Sequence, residues 1–258
     1  MTMNVPIRDW SGRRVWIVGA STGIGAALAR QLLLLGARVA VSARRPEPLE
    51  ELARSHPGQA LVCPLDVTAA PEVSEAFARI RSAWAGLDVM IYMAGVYQPC
   101  NAWDFDAGAG RRLFDVNVTG ALHVLEPVVH EFVRAQGGHI ALVASVAGYR
   151  GLPKALFYGA TKAALIHLAE GLYVDLAPKG IGVSVVNPGF VRTPLTADND
   201  FRMPALIAPE EAAQQTLRGL ARGEFEIHYP KRFTRLVKLA SWLPYRWYFP
   251  LIHRVTGL

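Results

Sequence analysis

The sequence predicts an α/β protein: a single doubly wound parallel sheet with helices on both faces. Three observations lead there. Short apolar, β-branched runs recur along the chain with helix-length segments between them. The runs are continuous rather than alternating, as strands covered on both faces of a parallel sheet must be. Strand and helix take turns throughout, so successive strands must be joined by right-handed crossovers.

The elements come in order along the chain. Arg14–Gly19 (RVWIVG) reads as the first strand, and glycine punctuation leads into a helix over Ile24–Leu35 that stops at Gly36. Arg38–Ser42 (RVAVS) is the second strand, followed by a helix around Glu47–Ser55. Ala60–Cys63 is the third strand, and Pro71, suited to a first helical turn, opens a helix over Glu72–Trp84. Asp88–Met93 is the fourth strand, and one long helix is expected over Arg111–Arg134. Gly138–Ala144 is the fifth strand, with a helix over Ala155–Leu176 that ends at Pro178 and Gly180. Gly182–Val186 is the sixth strand, Pro209 and Glu210 open another helix, and Glu224–His228 is a candidate seventh strand. No repeat, linker or low-complexity stretch interrupts this, which suggests one domain over 1–229 with a C-terminal extension over 230–258.

Composition narrows the class. Just over half of the 258 residues are hydrophobic and 19% are charged, enough to bury a large core. No apolar run reaches the length of a membrane span, and Met1–Trp10 lacks the basic end and apolar run of a signal peptide. Cys63 and Cys100 are the only cysteines, too few for a disulfide framework, so a reducing, cytoplasmic setting is expected. No metal site is expected. The net charge of +6 is localised. Lys231, Arg232, Arg235, Lys238, Arg246 and Arg254 follow Tyr229 with no acidic residue among them. The rest of the chain is formally neutral, so the high pI is no argument for nucleic-acid binding.

The chemistry-bearing residues begin at the first strand–helix turn, Gly19-Ala20-Ser21-Thr22-Gly23-Ile24-Gly25. Glycines there let the backbone turn tightly and come close to a pyrophosphate, while the helix start offers unpaired N–H groups and partial positive charge. The residue ending the second strand should select between cofactors: an acid favours ribose hydroxyls and repels a 2′-phosphate. Here Ala43 is followed by Arg44 and Arg45, and a guanidinium can pair with phosphate through two hydrogen bonds, so NADP(H) is favoured over NAD(H), with Arg44 the better candidate. Ser145 follows the fifth strand, Tyr158 comes thirteen residues later, and Lys162 four after that. Tyr and Lys at that spacing share a helix face. A nearby ammonium should lower the phenol's pKa toward the working range of an acid–base catalyst. A neighbouring serine hydroxyl can hold a substrate oxygen.

Together these motifs resemble the short-chain dehydrogenase/reductase family over roughly residues 12–225. The glycine spacing is that family's G-x-x-x-G-x-G rather than the commoner dinucleotide fingerprint. The resemblance implies a Rossmann-type fold. It also implies that Gly19, Ser21, Thr22, Gly23, Ile24 and Gly25 line the phosphates and ribose, and that Asp66 and Val67 bind adenine. Ala94 and Gly95 match the family's cofactor-contacting segment after the fourth strand. Pro188, Gly189, Val191 and Thr193 lie in its P-G-x-x-x-T segment, which holds the nicotinamide carboxamide. It implies that Ser145, Tyr158 and Lys162 are catalytic, the last two also touching the cofactor, and that Asn117 supports a water-linked proton path to the lysine. The implied reaction interconverts a ketone or aldehyde and an alcohol on a small molecule, apolar ones included. The implied assembly is a homo-oligomer paired through the two long helices. The rival reading is a non-catalytic dinucleotide sensor or scaffold of the same fold, which would have no use for a complete Asn, Ser, Tyr and Lys set.

Two departures from the family pattern fall together. Val18 stands where the family usually has Thr, and Tyr92-Met93 where it has Asn-Asn. An apolar contact between them is expected to replace a polar tie. The segment Pro194–Pro204 reads as a mobile lid. In the extension, apolar residues at three- and four-residue spacing between Phe233 and Leu243 describe a short basic amphipathic helix, and Pro244 and Pro250 are expected to break the chain beyond it. Packing on the chain's own body or a partner subunit, and peripheral contact with an anionic membrane, are both compatible with it.

Overall fold

The computed structural model describes residues 2–197, 199 and 203–257. In chain order the elements are β1 (Arg14–Val18), α1 (Gly23–Leu34), β2 (Arg38–Ser42), α2 (Glu47–Arg54), β3 (Ala60–Val62), α3 (Ala70–Trp84) and β4 (Val89–Tyr92). Then come α4 (Ala107–Phe114), α5 (Gly120–Ala135), β5 (His139–Val143), α6 (Leu156–Leu176), β6 (Gly182–Pro188), α7 (Pro209–Ala221), β7 (Glu226–Tyr229), α8 (Lys231–Ser241) and α9 (Tyr245–Thr256). The seven strands form one sheet in the order β3-β2-β1-β4-β5-β6-β7, every pair parallel.

Both faces of the sheet are covered, which is why the strands read as unbroken apolar runs. Val15 and Ile17 point to one side, packing with Leu28 and Leu32 of α1, Leu49 of α2 and Leu220 of α7. Trp16 and Val18 point to the other, among Phe77 and Ile80 of α3, Val124 and Val128 of α5 and Leu165 of α6. The one polar atom of Trp16 is satisfied inside this core, its Nε1 donating to Ser42 Oγ at 2.9 Å.

The strand order reverses between β1 and β4. The chain leaves those two strands toward opposite sides, so their C-terminal ends border an open crevice where α/β sheets bind ligands. At the opposite end of the same strands the Arg14–Asp88 ion pair, at 2.6 Å, ties β1 to β4.

Three features of the helices differ from the sequence reading. The expected helix over 111–134 starts earlier, at Ala107. Asp106 caps it by accepting from Gly108 N at 2.8 Å, and the small residues after that cap carry no apolar periodicity. That helix is also interrupted: Asp115–Thr119 form a π turn between α4 and α5. Pro250 does not end the last helix but lies within α9. Pro244, by contrast, does separate α8 from α9, standing as the extended residue just before α9. Of the expected lid, Pro194–Thr196 form a short 3-10 turn, while Asp198 and Asp200–Arg202 lie outside the described residues.

Candidate active site

The β1–α1 turn is built by close backbone approach. Gly19 has φ +101°, and a Cβ on it would stand 2.5 Å from Ala94 N, so only glycine lets β1 and the segment after β4 meet. α1 then begins at an extended Thr22 with no side-chain cap and no acidic residue in its first turn. Its leading N–H groups face the crevice without an internal anion to neutralise them.

Opposite this cradle lie the residues expected to move a proton. A cavity of about 450 Å³ is lined by the Gly19–Gly25 turn together with Ala94, Gly95, Ser145, Tyr158, Lys162, Pro188, Gly189, Val191 and Thr193. Residues from five separate stretches of sequence thus converge on one space. Ser145 Oγ accepts from Ala147 N at 3.1 Å and is hydrogen-bonded to the Tyr158 phenol. Lys162 is buried, with its Nζ donating to Val143 O at 2.9 Å and lying 5.6 Å from the centre of the Tyr158 ring.

The electrostatics differ from the expected lowering of the phenol. Burial pushes Tyr158 up to about 12; the hydrogen bond from Ser145 pulls the other way and loses. Burial also brings Lys162 down to about 8. The reason is geometric: the ammonium is turned to the β5 carbonyl, and the phenol's near neighbours are Ser145 and the ring of Tyr97, edge-on with centroids 4.9 Å apart. The phenol is therefore a held proton at neutral pH.

Asn117 sits in the π turn and is fully buried. Its Oδ1 accepts from Val96 N at 2.8 Å, and its Nδ2 donates to Val96 O at 3.0 Å and to Thr161 Oγ1 at 2.9 Å. Thr161 Oγ1 in turn donates to Tyr158 O at 2.7 Å. One side chain thus joins the segment after β4 to the helix that carries Tyr158 and Lys162. Asn117 Oδ1 and Lys162 Nζ lie 3.4 and 3.5 Å from where a side chain on Gly95 would start, so both polar groups border that glycine.

The other end of the crevice is open and charged. A second cavity, of about 570 Å³, is lined by Arg44, Asp66 and Thr68 and shares Val96 and Tyr97 with the first, so the two run together as one trough. Asp66 Oδ1 accepts from Thr68 N at 2.9 Å and from Thr68 Oγ1 at 2.8 Å; those bonds and the charge of Arg44 hold its carboxyl below the usual range. Arg45 is exposed and lines neither cavity. The Val67 side chain is buried, and its carbonyl is hydrogen-bonded by His123 Nδ1 at 2.9 Å.

Sequence reasoning missed several participants. Tyr97 touches Tyr158 and borders both cavities; its signal was an aromatic two residues past Gly95. Thr161, inside the Tyr158–Lys162 spacing, is the partner of Asn117. Tyr92 stands out in the sequence only as a departure from the family pattern. Val18 and Tyr92 are register neighbours in the same apolar cluster, and Met93 N donates to Val18 O at 2.8 Å, so the strands are tied through backbone. Beyond that apolar contact, the Tyr92 hydroxyl donates to Val116 O inside the π turn at 2.5 Å.

Comparison with known proteins places the chain in a family. The family model for short chain dehydrogenases matches residues 13–202. An uncharacterized oxidoreductase of Myxococcus xanthus is 36% identical over 239 residues, covering 92% of this chain and 94% of its own. A short chain dehydrogenase/reductase of Burkholderia phymatum, solved in complex with NAD, superposes with a TM-score of 0.83 at 23% identity, covering 91% of this chain and 94% of its own. The structure of ElxO with NADP bound superposes at 0.76 with 24% identity, over 84% of this chain and 97% of its own. With nearly three quarters of its length matched by the family model and a relative similar from end to end, the chain is a member of the short-chain dehydrogenase family of oxidoreductases.

Proposed function

We propose that this protein is an NADP(H)-dependent oxidoreductase that interconverts a ketone or aldehyde and an alcohol, with Tyr158 as general acid and base. The observation that carries the proposal is the pairing of a serine-bonded phenol with a buried lysine one helical turn away, facing the same cavity as an uncapped helix start.

The residues present fit a dinucleotide. The glycine turn leaves room for a pyrophosphate, and the α1 N-terminus offers its amides without a competing acid. Ser21, Thr22 and Ile24 would hold the phosphates and ribose, Asp66 and Val67 the adenine, and Ala94 and Gly95 the inner wall. Pro188, Gly189, Val191 and Thr193 would hold the carboxamide. Arg44 is the residue assigned to a 2′-phosphate, with Arg45 in support. Once bound, the nicotinamide supplies or accepts the hydride.

The chain's own residues handle the proton and the oxygen. Ser145 holds the carbonyl oxygen, and Tyr158 gives it a proton as it gains negative charge. A phenol pushed up to about 12 is protonated at neutral pH, which suits reduction. Lys162 would hold the nicotinamide ribose, and it keeps a positive charge one turn from Tyr158. Asn117 fixes the Val96 backbone and, through Thr161, the Tyr158 turn, and it backs the proton path behind Gly95.

We further assign the protein to the cytoplasm as a homo-oligomer, with peripheral membrane contact through the C-terminal extension and no nucleic-acid partner. Exposed Leu122 and Val133 on α5 and Val174 on α6 support pairing through those helices. The deciding experiment is Tyr158→Phe, assayed by NADPH consumption across a panel of ketones and aldehydes. Turnover should fall by a factor on the order of 10²–10⁴ while NADPH affinity stays within about threefold. Undiminished turnover would refute the role of Tyr158. NADPH binding without turnover of any carbonyl by the unmutated protein would favour a sensor.

A further inference from the structure

The C-terminal extension is built with two unlike sides. On α8, Phe233 packs beside Gly189 and on Phe190, the buried Thr234 bonds His228 Nδ1 at 2.6 Å, and Lys238 pairs with Glu226. The other side carries Arg232, Arg235, Leu236, Leu239 and Trp242, all exposed, at helical spacing. α9 is held mainly at one point. Tyr248 is buried, and its hydroxyl donates to Gly151 O at 2.7 Å. Tyr245, Trp247, Phe249 and Val255 around it are more than half exposed. Arg150 fastens the pair: its guanidinium donates to Ser241 O at 2.8 Å and to Leu243 O, and lies 4.3 Å from the ring centres of both Tyr245 and Tyr248.

This arrangement excludes the simplest explanation of an aromatic-rich segment, that its large apolar groups are all buried against the body. Phe233 and Tyr248 are turned to the body, but Leu236, Leu239, Trp242, Tyr245, Trp247 and Phe249 are exposed, so the outer side presents tryptophan and leucine beside arginine. Among the described residues no carboxylate pairs with Arg232, Arg235, Arg246 or Arg254, whereas Lys231 and Lys238 are taken up by Glu224 and Glu226. A second copy meeting this face through a two-fold axis would bring cations against cations, since the extension holds no acidic residue. Lipid headgroups bearing negative charge answer both features: they attract arginine, and the layer beneath accepts tryptophan and leucine.

We propose that the outer face of α8 and α9 is a docking surface for an anionic membrane, clasped to the body by Arg150 and Glu226. This makes specific the peripheral contact assigned to the extension and is independent of the catalytic roles. Because Tyr149, Arg150 and Gly151 follow Ser145 within six residues, the docked face lies beside the catalytic loop.

The experiment is co-sedimentation of the full chain with phosphatidylcholine vesicles, alone and mixed with phosphatidylglycerol, at low and high salt. Arg232→Glu/Arg235→Glu and Trp242→Ser/Trp247→Ser are run beside the wild type. Their folding is checked by thermal unfolding and by turnover of a water-soluble ketone, which should not change. The wild type should bind the anionic vesicles about tenfold or more tightly than the neutral ones, less so at high salt, and both double variants should lose most of that binding. Equal binding to both vesicle types, or variants that bind as well as the wild type, would overturn the proposal. So would a wild type that ignores vesicles but whose oligomer dissociates in the variants, which would give the face to a second copy. Turnover of the ketone is read separately, so failure of the membrane surface leaves the catalytic assignment standing, and the reverse.

Discussion

The two ends of the crevice are built on opposite principles. At the end lined by Arg44 and Asp66, the groups are charged and at least partly exposed. At the end lined by Ser145, Tyr158 and Lys162, the groups are desolvated and held by a chain of hydrogen bonds from β5, the π turn and α6. An exposed charge is screened by salt and can be exchanged at little cost to the fold. A buried one changes stability and chemistry together. Substitutions at the open end should therefore alter affinity only, while removing the buried charge of Lys162 at the closed end should alter stability and rate in opposite senses.

The largest effect should come from Lys162→Met. Burial lowers the lysine from 10.5 to about 8, so the unfolded chain binds more protons between those values. Stability of the wild type should then rise with pH across that window, because the burial penalty is present while the native ammonium is charged and fades as it deprotonates. Removing the charge at neutral pH relieves about 3 kcal/mol of desolvation, and losing the bond to Val143 offsets roughly half of it. Thermal unfolding at pH 7 should show the variant more stable by about 1–2 kcal/mol, with the gap closing at about pH 9 and reversing toward about pH 10, where only the lost bond to Val143 remains. Turnover should fall by a factor on the order of 10²–10⁴. A variant that loses stability as well as rate would break the contrast between the two ends.

The open end gives a smaller effect, confined to binding. Arg44→Ala should weaken NADPH about 10- to 100-fold, the loss of a charged pair with phosphate, and leave NADH affinity within about twofold. Fluorescence titration at two salt concentrations checks it: the wild-type advantage should shrink as salt rises. Arg45→Ala, at a residue that lines neither cavity, should change either affinity by less than about threefold. Equal losses for both arginines would mean that a diffuse positive field, not one guanidinium, selects the cofactor.

How much of this was legible in the sequence divides along the same line. The strands were legible because burial on both faces forces continuous apolar runs, and their ends fall close to the expected ones. The widest misses are the start of β7, at Glu226, and the end of β6, which runs on to Pro188. The convergence of the glycine turn, Ser145, Tyr158 and Lys162 was legible because parallel strands deliver their C-terminal ends to one edge. What spacing could not show is which way a buried polar group turns. Lys162 at four residues from Tyr158 promised an ammonium acting on a phenol; the β5 carbonyl, nineteen residues away in sequence, is its partner instead. Likewise, Tyr149 and Glu226, which bond at 2.6 Å, are 77 residues apart, and nothing local to either marks the pair.

The π turn was illegible for a related reason, and it supplies the smallest and most discriminating test. A π turn costs helical hydrogen-bonding regularity and persists where something outside the helix supports it. Here the support comes from Tyr92, whose hydroxyl donates to Val116 O, and from Gly120, where a Cβ would meet that same hydroxyl at 2.7 Å. The family usually has asparagine at the position of Tyr92; in this chain an aromatic reaches from β4 to the π turn instead. Tyr92→Phe keeps the apolar contact with Val18 and removes only the hydroxyl, leaving a carbonyl in the π turn without its donor. It should cost about 1–3 kcal/mol in thermal or denaturant unfolding. If Tyr92 serves the site by fixing the turn that carries Asn117, kcat should also fall, by less than about tenfold, with NADPH affinity nearly unchanged. A Tyr92→Phe variant that loses stability but keeps its full kcat would show that Asn117 is held by Val96 and Thr161 alone, and that the closed end of the crevice needs no support from β4.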